Sequence, residues 1–117
     1  MNSVKFKSFS SGSSGNCYFL GVFSEDVFCL GGILIDTGVS PRRVKRELAS
    51  DSLGHDDYSA ILITHDHHDH IGSLGSYCQH LKKPVWATEK LHRAMSRRYT
   101  SGPCLADCRR ILSDGWN

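Results

Sequence analysis

The chain has 117 residues, 39% of them hydrophobic, and a net charge of +2 with neutral histidines. That length suits one domain with one modest core, and the charge balance gives no overall pull toward nucleic acid or membrane. No apolar run approaches the roughly 20 residues that span a bilayer, and Met1-Asn2-Ser3-Val4-Lys5-Phe6-Lys7 lacks the apolar stretch of a secretory leader.

The expected address is therefore cytoplasmic. Cys17, Cys29, Cys78, Cys104 and Cys108 are odd in number and scattered. That is the pattern of reduced thiols rather than of a secreted disulfide framework. The seven histidines are unusual because four of them, His65, His67, His68 and His70, fall within six residues.

Along the chain, Val4 to Phe9 alternates apolar and polar residues and predicts a strand. Ser10 to Asn16 has turn chemistry, and Cys17 to Phe23 predicts a second strand. After a turn at Ser24 to Asp26, Val27–Leu30 and Ile33–Ile35 form one interrupted strand or two. Asp36-Thr37-Gly38 ends them in a tight turn. Ser40-Pro41 is a helix start, a capping side chain followed by proline at the first helical position, with Val44 and Leu48 at helical spacing. Asp51 to Asp57 reads as a polar loop, and Ala60-Ile61-Leu62-Ile63 as a short buried strand. Ile71, Leu74, Tyr77, Cys78 and Leu81 fit one face of a helix over 71–81. Pro84 to Ala87 predicts a strand, and Thr88 caps a helix from Glu89 to about Arg98. Past Tyr99 the pattern weakens; Leu105 to Leu112 is compatible with a short helix introduced by Gly102-Pro103.

Between the buried strand and the helix over 71–81 lies Thr64-His65-Asp66-His67-His68-Asp69-His70. It contains His-x-His-x-Asp-His in one register only, because starting at His68 puts Gly72 where an aspartate is needed. In an extended segment, residues two apart point to the same side, so His65, His67 and Asp69 converge. His70 swings in as the chain turns into the helix. Imidazole and carboxylate suit zinc, with manganese or iron as competitors. Ligands in α/β structures gather at such strand ends.

Ile61 to Gly72 resembles the signature of the metallo-β-lactamase superfamily. Leu34-Ile35-Asp36-Thr37-Gly38 resembles that superfamily's strand ending in Asp-x-Gly. Ser10 to Asn16 with Cys17-Tyr18, and Pro84 to Thr88, are similar to the WalJ/YycJ-like branch, which is associated with DNA exonuclease activity. The resemblance covers most of residues 1–98 and is weak over 99–117. It implies an α+β fold, the N-terminal half of an αββα sandwich with a mixed sheet and helices on one face. It implies two divalent ions, zinc first, with His65 and His67 on one and Asp69 and His70 on the other. A hydroxide shared by the ions would be the nucleophile, and Asp69 would pass a proton to the leaving group. Asp36 would hold the metal loop in shape, or be a plain turn aspartate. DNA or another phosphodiester is the implied partner.

The family needs further ligands from later strands. Beyond His70 the histidines are His80 and His92, both expected on helices. The chain stops at Asn117, so it is expected to be the N-terminal half of a longer protein. One alternative is that Cys104 or Cys108 substitutes as a ligand. A half-sandwich would leave an apolar sheet face bare and self-associate. Two functions stay open: a hydrolase, phosphodiesterase or exonuclease when complete, or a metal-binding half-domain without turnover. Arg42, Arg43, Lys45 and Arg46, with Lys82, Lys83, Lys90, Arg93, Arg97 and Arg98, are compatible with phosphate contact, although a solvated helix surface is the better reading. His68 is expected to face solvent or a substrate groove. Ser10 to Asn16 lacks the Gly-Lys-Ser/Thr ending of a P-loop and reads as a hairpin connection.

Overall fold

The computed structural model describes residues 1–13, 15–97 and 102–113, with the backbone alone for 102–104. The Cys104 side chain, Arg98 and the segment 114–117 lie outside the described residues. Among the described residues, strands β1 (Asn2–Ser10), β2 (Cys17–Ser24), β3 (Phe28–Ile35), β4 (Ala60–Leu62), β5 (Val85–Thr88) and β6 (Arg109–Leu112) form one sheet in sequence order. β1, β2 and β3 pair antiparallel, and β3 to β6 pair parallel. The sheet is mixed and the class is α+β, as expected.

Helices fill the crossovers: α1 (Pro41–Ala49), α2 (His68–Ile71), α3 (Leu74–Ser76), α4 (Glu89–Ser96) and α5 (Gly102–Cys108). Both expected caps form. Ser40 Oγ accepts from Arg43 N at 3.2 Å, and Thr88 Oγ1 accepts from Leu91 N at 3.2 Å; each satisfies one of the helix's unpaired first-turn donors. Val44 and Leu48 of α1 are fully buried, as are Leu34, Ile61 and Val85 of the central strands and Leu74, Tyr77, Met95 and Leu105 of the helical layer. The alternation in β2 explains how one face is chosen. Cys17, Phe19, Gly21 and Phe23 are buried, whereas Tyr18, Leu20 and Val22 point the other way and are more exposed.

That other face runs across the sheet through paired positions: Val4 with Val22, Phe6 with Leu20, Leu20 with Ile33, Ile35 with Leu62, and Leu62 with Trp86. Val4 is 67% and Phe6 60% exposed. Among the described residues little covers this face, and it is apolar.

The structure differs from expectation in two places. The helix expected over 71–81 is three pieces, α2, α3 and a π turn over Tyr77–Leu81. In a continuous helix the Asp69 and His70 carbonyls would accept from the amides of residues 73 and 74. Instead the Asp69 carbonyl accepts from Asn16 N (2.6 Å) and the His70 carbonyl from Thr37 N (2.6 Å), while Ser73 N donates to the Thr37 carbonyl (2.9 Å). The neighbouring loop takes the helix's own hydrogen bonds, and Gly72 and Gly75 weaken it further. The second difference is Leu105 to Leu112, of which only the part up to Cys108 is helical. Arg109–Leu112 extends the sheet beside β5, because the open edge of β5 offers backbone partners that local propensity does not reveal. The region Phe28–Ile35 is a single strand with an irregularity opposite Val22 and Phe23.

Candidate metal centre

β3 and β4 end side by side, and their parallel register sets Ile35 opposite Leu62. The residues that follow, Asp36 and Thr64, therefore emerge together at the same sheet edge. Asp36 takes a left-handed φ of 62°, a conformation aspartate tolerates better than most L-residues. Its amide donates to the Leu62 carbonyl at 2.8 Å, and its side chain is turned inward, 2% exposed.

The Asp36 carboxylate gathers the loop. Oδ1 accepts from Thr64 N at 2.8 Å. Oδ2 accepts from Thr64 Oγ1 at 2.6 Å and from His70 Nδ1 at 2.7 Å. A carboxylate only accepts, so His70 carries its proton on Nδ1 and presents the Nε2 lone pair. The same logic reaches His65. Thr64 has one hydroxyl proton, and Asp36 receives it. The Thr64 oxygen, 2.9 Å from His65 Nδ1, must then accept from an Nδ1–H, which leaves the His65 Nε2 free as well. One buried carboxylate thus sets the tautomer of two imidazoles, one directly and one through a threonine.

The His65 and His70 rings lie 4.5 Å apart between centroids. Asp36, His65 and His70 each offer a ligand atom, all within 4.8 Å of one another. Because both Asp36 oxygens are already occupied by donors, the hydrogen bonds favour Asp36 as the group that aims the histidines over Asp36 as a ligand. Asp69 Oδ2 lies 3.8 Å from His70 Nε2, slightly wider than the roughly 3–3.5 Å expected of two ligands about 2 Å from one ion. The His67 ring is 6.1 Å from that of His65 and is exposed, as is His68. The structure therefore brings together His65, His70 and Asp36; Asp69 approaches His70, and the expected ligand His67 is not among the clustered atoms. Neutral imidazole nitrogens whose other nitrogen is hydrogen-bonded, next to a carboxylate, are a donor set that fits zinc and similar divalent ions.

Two contributors carry no signal in the sequence alone. Thr64 opens the motif without an evident role until its hydroxyl is seen between Asp36 and His65. Asn16 belongs in the sequence to the expected hairpin connection; its buried side chain donates to Asp69 Oδ2 at 3.0 Å. It lies 53 positions from Asp69, and no spacing rule links the two.

The other candidates stand apart. His92 is 1% exposed, and its Nε2 lies 2.6 Å from the Arg110 carbonyl, tying α4 to β6; His80 is exposed. The Cys108 thiol is buried and donates to the Cys78 carbonyl, and it is not among the clustered ligand atoms. Burial pushes the Cys17 thiol up to about 12, so it is neither nucleophile nor thiolate ligand at neutral pH. A cleft of about 380 Å³ between Lys5, Lys7, Phe19, Phe23 and Asp51 contains none of the site residues. In the basic helix, Arg43 is structural, donating to the Phe9 carbonyl (2.7 Å) and pairing with Glu47 (2.8 Å).

Residues 11–103 match the metallo-beta-lactamase superfamily, and the chain belongs to that superfamily. It is 34% identical over 92 residues to exodeoxyribonuclease YycJ of Bacillus anthracis, covering 79% of this chain and 33% of that protein. It is 34% identical over 91 residues to exodeoxyribonuclease WalJ of Streptococcus pneumoniae, covering 78% of this chain and 32% of that one. The chain thus spans about a third of the length of these relatives. Among solved structures, MEM-A1, a subclass B3 metallo-β-lactamase from a soil metagenome library, superposes with a TM-score of 0.59 at 21% identity. That match covers 87% of this chain and 45% of the other, and it shows the fold alone.

Proposed function

We propose that this chain carries the first part of a dinuclear, metal-dependent hydrolase site that acts on phosphodiesters, with DNA as the substrate class and exonucleolytic cleavage as the reaction of the whole protein. The observation that supports this most is the Asp36-centred network, which fixes the His65 and His70 rings through their Nδ1 atoms and leaves His70 Nε2 3.8 Å from the Asp69 carboxylate. Zinc is the preferred ion, with manganese or iron as alternatives. His65 and His67 would hold one ion and Asp69 and His70 the other, with Asp36 orienting rather than ligating. The ions, when bound, supply Lewis-acid stabilisation of a phosphoryl oxygen and lower the pKa of water. This chain's own residues supply position and proton handling: the two histidines are fixed in one tautomer, and Asp69 passes a proton to the leaving oxygen. The substrate class rests on the names of the relatives and not on the fold, which hosts many chemistries.

The test pairs bound zinc per chain with hydrolysis of bis(p-nitrophenyl) phosphate and of a 5′-labelled DNA duplex. Bound zinc in the chain and turnover in the whole protein are the expected result; a His67→Ala variant that keeps its full metal content would overturn the assignment. A second reading, a metal-binding half-domain without turnover, is favoured by the cluster of mutually close ligand atoms, which gathers Asp36, His65 and His70 but neither His67 nor Asp69. Substoichiometric zinc and no hydrolysis would select it. On either reading the bare apolar sheet face leads the isolated chain to self-associate. The cytoplasm is the proposed compartment; among the described residues no helix is long and apolar enough to cross a membrane.

A further inference from the structure

We infer that Asn16 is a positioning residue for Asp69, holding its carboxylate in the orientation that receives a metal ion; this rests on the metal-site reading above. Asn16 sits just before β2, in a different loop from the histidine cluster, and is 6% exposed. Its amide orientation is unambiguous, because Oδ1 accepts from Gly12 N at 3.1 Å, a backbone donor that cannot reverse its role, and also from Tyr18 Oη at 3.1 Å. Nδ2 must therefore face the other way, where it meets the Gly12 carbonyl (2.9 Å), the Asp69 carbonyl (3.2 Å) and Asp69 Oδ2 (3.0 Å).

Oδ2 is the oxygen on the His70 side, 3.8 Å from Nε2. A single carboxamide therefore grips the backbone and the side chain of Asp69 at once. The grip is reinforced by Asn16 N donating to the Asp69 carbonyl and by Gly38 N donating to the Asn16 carbonyl (2.8 Å). A carboxylate left free would rotate about its last bond and spend part of its time away from the ion. Hydrogen bonds to a ligating carboxylate remove that freedom, and losing one costs about 10–100-fold in metal affinity. A purely structural role, closing the turn on Gly12, would not need the bond to Oδ2.

The experiment is zinc competition titration of the full 117-residue chain against a chromophoric chelator, as a double-mutant cycle. Asn16→Ala is the first variant. Asn16→Ser is the second; it keeps a small polar group to close the turn, but its hydroxyl is too short to reach Oδ2. Metal-free melting checks that each is folded. The expected result is at least tenfold weaker zinc binding for both variants. In an Asp69→Ala background, the same Asn16 changes should shift affinity less than about twofold, because the group they act through is gone. Unchanged affinity in Asn16→Ser, or an equal loss with and without Asp69, would overturn the inference while leaving the metal site standing. If Asp69→Ala alone leaves affinity untouched, the metal-site reading fails and this inference with it.

Discussion

At the scale of single residues, the site depends on a few buried polar groups whose partners are fully assigned. Asp36 is the clearest case. Removing its side chain takes the acceptor from Thr64 N, Thr64 Oγ1 and His70 Nδ1, and a hydrogen bond to a charged group contributes about 1.5–3 kcal/mol. Asp36→Ala is expected to lose at least that much stability in urea denaturation. It should also weaken zinc by about 10–100-fold, because both imidazoles lose the partner that fixes their tautomers. Threonine is expected to matter through its hydroxyl alone: Thr64→Val should weaken zinc while keeping the fold, read by the same titration. The buried Cys17–Tyr77 pair makes a different prediction. Burial raises the Cys17 thiol from its ordinary 9.0 to about 12, and it raises the Tyr58 and Tyr77 hydroxyls well above their usual value of 10.0. The unfolded chain releases these protons first. The stability they contribute is therefore complete below pH 9 and declines as pH rises through 9 to 12. Urea melts at pH 8, 9, 10 and 11 should show a falling midpoint, and Cys17→Ala a shallower decline.

At the scale of elements, three loops meet where the parallel strands end: the one before β2, the one after β3 and the one after β4. Gly38 is the contact point. A Cβ there would overlap the Asp69 carbonyl oxygen and the Asn16 amide nitrogen, both backbone atoms that cannot move aside. Gly38→Ala is expected to destabilise the chain by about 1–3 kcal/mol or more and to weaken zinc binding, because the loops must separate. Ser40→Ala, two residues further on, is the control. It removes the α1 cap at a cost of about 1 kcal/mol and should leave metal affinity unchanged. Chemical denaturation and zinc titration of the two variants separate these effects. The short α2 belongs to the same junction, since its carbonyls serve the neighbouring loops instead of the next helical turn.

At the scale of the whole molecule, helices cover the sheet on one side only among the described residues. The other side shows Val4, Phe6, Val22, Trp86 and Leu112, an apolar expanse of the kind that marks an interface. Sedimentation of the isolated chain is expected to show dimers or larger species, with the equilibrium shifting to monomer in a Phe6→Glu/Trp86→Glu variant. A concentration-independent monomer in the unsubstituted chain would refute the expected self-association.

Much of this was legible in the sequence because it is local. The closeness of His65 to His70, the Ser40 and Thr88 caps, and the alternation of β2 each depend on residues within a few positions of one another. Their outcome follows from strand and helix periods and from the donors and acceptors each side chain carries. What only the tertiary structure decided depends on groups distant in the chain. The breaking of the helix over 71–81 needs Asn16 and Thr37 to take carbonyls that helical propensity would assign elsewhere. The turn of 109–112 into a strand needs the edge of β5. The roles of Thr64 and Asn16 need three loops to arrive at one sheet edge. A hydrogen bond between Asn16 and Asp69, 53 positions apart, leaves no periodic trace, because its geometry is set by strand register and not by spacing.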